Sequence, residues 1–108
     1  MSKKATKEEK MQKITVPTEM FACLDDTGEN YLVEIELPGV DKKSISLQMH
    51  EDVVSVRAER AYVTFVGHLH FPLKVSPRKS KAVFKQGLLA VQVPVKEKRS
   101  PPNNVKIR

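Results

Sequence analysis

Hydrophobic and polar residues alternate along most of this chain with a period of two. In "NYLVEIEL", Tyr31, Val33, Ile35 and Leu37 share one face, while Glu34 and Glu36 point the other way. This is the pattern of a half-buried strand. "SISLQMH" repeats it with Ile45, Leu47 and Met49 opposite Ser44, Ser46 and Gln48. "VVSVRAER", "VGHLHFPL", "AVFK" and "LLAVQVPV" follow, the last with Leu89, Val91 and Val93 on one side. "MFACL" precedes them as a short apolar run. Turn residues punctuate the series at "DDTGEN", "PGVDKK", "ED", "VSPRKSK" and "QG". "AYVTF" reads as a brief connection between two strands. The spacing predicts about eight short strands in an all-β sandwich, and no stretch keeps a helical period over three turns.

Both ends depart from this pattern. Residues 1–19 are rich in lysine, with Met11 and Ile14 too sparse to dock a helix, although Thr6-x-x-Glu9 has capping-box spacing. They are expected to form a flexible arm, with the folded domain spanning 20–95 and a tail spanning 96–108. Pro101 and Pro102 bar that tail from a helix, yet it carries the apolar pair Val105 and Ile107 around Lys106. Frayed ends are usually polar, so an apolar pair at this position stands out.

Charge narrows the functional classes. The net charge is +6, and it resides at the ends: +2 in residues 1–19, +4 in 95–108, and zero in 20–94. A nucleic-acid surface would place its cations on the domain beside aromatic platforms, so nucleic acid is an unfavoured partner. The single Cys23 cannot form an internal disulfide, which fits a reducing, cytoplasmic setting, and it is expected as a small buried hydrophobe. No window is long and apolar enough to span a membrane, and no leader peptide is evident.

The candidate chemistry is thin. His68-x-His70 puts two imidazoles on one strand face without a third ligand nearby. Asp25-Asp26 and Glu51-Asp52 sit in turns, where acids are common. With no Gly-x-Ser-x-Gly elbow and no nucleotide loop, no catalytic residues, metal or cofactor are expected.

Four segments in order resemble the alpha-crystallin domain of the small heat-shock proteins. They are "YLVEIELPGVDKKSISLQMHEDVVSVRAER", "FPLKV", "VFKQGLLAVQVP" and the terminal Val105-Lys106-Ile107. The resemblance covers residues 20–108. It implies an immunoglobulin-like β-sandwich and an ATP-independent holdase that binds unfolding proteins. Its partners would be copies of itself, as dimers and larger homo-oligomers, and unfolded clients, with no membrane. It further implies that the tail of one subunit inserts between the "SISLQM" and "AVFK" strands of another. Ile45, Leu47, Val83 and Phe84 are the candidate lining.

Two features depart from the family pattern. Only about five residues join the strand ending near Glu59 to the one starting near Phe65, where many members carry a long loop whose strand is swapped between subunits. A tight hairpin, or a dimer built on another edge, is expected instead. The arm is also short, implying a smaller assembly or a shortened chain. The alternative readings are a CS-type co-chaperone module, which lacks a self-plugging tail, and a basic-tailed nucleic-acid binder.

Overall fold

A computed structural model describes residues 13–96 and 103–108. The chain forms β1 (Ile14–Pro17), β2 (Met20–Leu24), β3 (Asn30–Glu36), β4 (Ser46–Met49), β5 (Val53–Arg60), β6 (Val63–His70), β7 (Lys81–Lys85) and β8 (Leu88–Pro94). Two four-stranded sheets result, ordered β1-β6-β5-β4 and β2-β3-β8-β7. Their inner faces enclose one core.

The alternation in the sequence becomes the core directly. On β3 and β8 the register sets Tyr31 opposite Val93, Val33 opposite Val91, and Ile35 opposite Leu89. All six are buried. The facing sheet contributes Val54, Val56 and Ala58 from β5, and Phe65 from β6. β-branched side chains suit this role, because they pack on a pleated surface with little rotamer freedom to lose. Tyr31 solves the problem of a buried phenol: its ring lies 4.9 Å from that of Phe71, and its hydroxyl accepts from the Leu73 amide at 3.1 Å.

The turns are as local as the sequence suggests. Asp25 organises the β2–β3 loop by accepting from Thr27 Oγ1 at 2.8 Å and Asn30 Nδ2 at 2.9 Å, with the Glu29 amide at 3.2 Å. These bonds, led by Asn30, hold its carboxyl down to about 2. Gln86 and Gly87 both have positive φ, 49° and 81°, as a two-residue hairpin of twist-matched geometry requires. A Cβ on Gly87 would approach Pro38 Cα at 3.3 Å, so the space is also wanted by the neighbouring loop.

Three expectations need revision. The β5–β6 connection is shorter than "AYVTF": Ala61 and Tyr62 alone make the turn, and pairing runs unbroken from Arg60–Val63 to Val53–His70. It is a tight hairpin, with Tyr62 at φ 64°. The arm contributes to a sheet, because Ile14–Pro17 forms β1 and pairs in parallel with Val63–Val66 of β6. Only Val16 of that strand reaches the core, while Ile14 stays exposed, so the local signal was short and the tertiary edge supplies the rest. Lys13 fastens it to Glu59 at 2.7 Å. Finally, Cys23 is exposed rather than buried. It pairs with Leu32 on the outer face of β2, while Ala22 and Leu24 turn inward. The arm's Thr6-x-x-Glu9 spacing and the Pro101-Pro102 pair lie outside the described residues.

The chain crosses between sheets at Thr18 and Glu19, where Thr18 Oγ1 donates to the Glu36 carbonyl. Gly67 makes room there: a Cβ at this position would lie 2.8 Å from Met20 Sδ and 3.1 Å from Thr18 Cγ2. Gly67→Val is expected to cost about 1–3 kcal/mol of stability by urea unfolding. The Asp25 turn makes a pH prediction. Its carboxyl sits lower in the folded chain than in an unfolded one, so its contribution is complete above pH ~4 and fades as pH falls towards 2. Asp25→Ala is therefore expected to be less stable than the parent chain at pH 6, with the difference shrinking steadily in unfolding curves taken down to pH 2.

Candidate functional site: the groove between β4 and β7

Each sheet ends on one side in an unpaired strand, β4 in the first and β7 in the second. A sandwich cannot close there, because the outer backbone edges have no neighbour. Inward-facing residues at such an edge are left incompletely covered. On β4 these are Leu47 and Met49, paired with Val56 and Val54 of β5. On β7 they are Ala82 and Phe84, paired with Val91 and Leu89 of β8.

The result is a groove of about 260 Å³ lined by Leu47, Met49, Ala82 and Val91, with Pro77, Ser80 and Lys81 at its rim. Ser80 Oγ reaches Met49 Sδ at 3.5 Å, bridging its two walls. A second hollow of about 460 Å³ continues from it past Met49 and Pro77 and is flanked by the charged or titratable His50, Glu51, Arg78 and Lys79. There Glu51 is bonded to Lys96 at 2.6 Å, and this lysine holds the carboxyl below the usual carboxylate range.

Of the residues picked from the sequence, Leu47 lines this groove. Phe84 lies on the same face of β7 as Ala82, half-buried against the core. Ile45 ends the 3₁₀ turn just before β4 and also packs on the core. Val83 sits on the outer face of β7, 58 % exposed and paired with Ala90. Adjacent strand residues point oppositely, so Val83 and Phe84 cannot both face one groove. Period two was the signal that selects Ala82 with Phe84, and Met49 with Leu47. Val91 and Pro77 come from other elements, and no local pattern marks them.

The tail leaves its apolar pair in solvent: Val105 is 82 % and Ile107 92 % exposed. His68 and His70 are both exposed, with ring centroids 5.7 Å apart, and among the described residues no group of three or more His, Cys, Asp or Glu could hold a metal. No helix among them is long and apolar enough to cross a membrane.

A sequence profile described as the Hsp20/alpha crystallin family matches residues 24–108. The chain belongs to this family. It is 31 % identical over 88 residues to the 18 kDa antigen 1 of Mycobacterium intracellulare, covering 68 % of this chain and 59 % of that protein. The chain thus spans about three-fifths of that relative's length. Among solved structures it is similar to HSP18.5 from E. histolytica, with 30 % identity, a TM-score of 0.60 and coverage of 87 % of this chain and 99 % of that one. Its fold also matches heat shock protein 16.0 from Schizosaccharomyces pombe, with a TM-score of 0.69, 19 % identity and coverage of 86 % and 99 %. As a member of the Hsp20/alpha-crystallin family, it has the family's β-sandwich.

Proposed function

We propose that this protein is an ATP-independent chaperone that holds unfolding proteins and prevents their aggregation. In this reading its subunits assemble by inserting the Val105-x-Ile107 segment of one copy into the β4–β7 groove of another. The observation that carries it is the pairing of a groove walled by Leu47, Met49, Ala82 and Val91 at two open strand edges with an exposed apolar pair at i and i+2 of the tail. Successive same-face residues of a strand lie about 6.6 Å apart, so Val105 and Ile107 can enter neighbouring parts of the groove while Lys106 stays in water. The tail backbone can then add to the free edge of β4 or β7.

Burying both side chains contributes on the order of 3–5 kcal/mol gross, from which the cost of ordering the tail is subtracted. A single contact of this strength opens readily, while several acting together hold an assembly. Release of the tail uncovers the groove. Unfolding proteins expose the same kind of extended apolar segments and bind there rather than to each other. No bond is made or broken, and no nucleotide or metal takes part.

Light scattering tests the assembly. A chain ending at Ser100, and the full chain carrying Ile107→Asp, are each expected to show a lower mass than the parent; unchanged masses would remove the tail's role. Turbidity tests the activity. Without nucleotide, a heated client protein is expected to stay in solution when the chain is present at comparable molar amounts. Undiminished turbidity would falsify the holdase reading.

A further inference from the structure

The groove's charge points to which segments it takes, an inference that rests on the groove reading above. The apolar walls are flanked on the β7 side by a run of cations. Arg78 and Lys79 line the hollow that continues from the groove, and Lys81, on the same face of β7 as Val83, borders the groove at the start of that strand. None of the three has an ion-pair partner among the described residues. The carboxylate that lines the hollow, Glu51, is already engaged by Lys96. A ligand lying along the groove therefore meets positive charge that nothing in the described structure neutralises.

The chain's own tail is poorly matched to this rim. Lys106 separates its apolar pair and Arg108 follows it. The like charges do not prevent apolar insertion, but they weaken it at low ionic strength. We infer that the preferred occupant of the β4–β7 groove is an extended apolar segment of an unfolding protein carrying Asp or Glu beside its buried pair. Such a segment gains from the rim that repels the tail and displaces it. Tail plugging and client capture should then respond oppositely to salt. Screening strengthens the basic tail's hold and weakens that of an acidic-flanked client.

The test compares two fluorescent peptides of equal length, each with a central Val-x-Ile, one flanked by Asp and the other by Lys, titrated with the full chain. At low ionic strength the Asp peptide is expected to bind about tenfold tighter, with the gap closing as salt is raised. Combined Arg78→Glu, Lys79→Glu and Lys81→Glu substitutions, all at exposed positions, are expected to reverse the order. Ala82→Trp, which fills the groove from an exposed edge position, is expected to block both peptides. If both peptides bind equally well and Ala82→Trp blocks both, the groove reading stands and the charge preference is overturned. If neither peptide binds, or Ala82→Trp blocks neither, the groove reading falls and the preference with it.

Discussion

Two sheets can share a core without sharing their edges, and that constraint shapes this molecule. The inward rows of β3 and β8 are covered on both sides by neighbouring strands, so Ile35, Val33 and Val93 are wholly enclosed. β4 and β7 have a neighbour on one side only. Their inward residues belong to the core by register and to the surface by position. Leu47, Met49 and Ala82 are therefore sticky in a place where backbone donors and acceptors are also free. A segment that is extended and apolar at alternate positions can meet both demands at once.

The opposite side of the sandwich meets the same constraint differently. There β6 would be an open edge, and the chain covers its first half with its own β1, pairing Ile14–Pro17 with Val63–Val66. The strand is short, held by the Lys13–Glu59 contact and by the inward Val16. One side is thus closed in part by the chain itself, while the other stays open at β4 and β7. The tight β5–β6 hairpin belongs to the same arrangement, because a two-residue turn leaves no spare chain to reach a neighbour.

The proposed function follows from this asymmetry and needs no specialised chemistry. The open groove is built from ordinary core residues that happen to lie at an edge, and the tail is built from the same residue types. Selectivity on that reading comes from the rim, where Arg78, Lys79 and Lys81 come from the turn and strand that form one bank.

Strand positions, the turns at Asp25 and Gln86-Gly87, and the rows Tyr31-Val33-Ile35 and Leu89-Val91-Val93 were legible in the residues themselves. Period two and turn chemistry act over a few positions and leave a direct mark on the chain. Leu47 was legible as inward-facing for the same reason, while its place in a groove came from the family resemblance, and the shared facing of Val105 and Ile107 could be read from their spacing. Tertiary structure alone decided that Ile14–Pro17 is a strand, that Val83 faces away from the groove while Ala82 faces into it, and that Val91 and Pro77 line one gap with Met49. Those outcomes depend on which strand ends each sheet and which lies beside it. Neighbour relations between distant segments are settled by the packing of two whole sheets, and no short window of sequence records them.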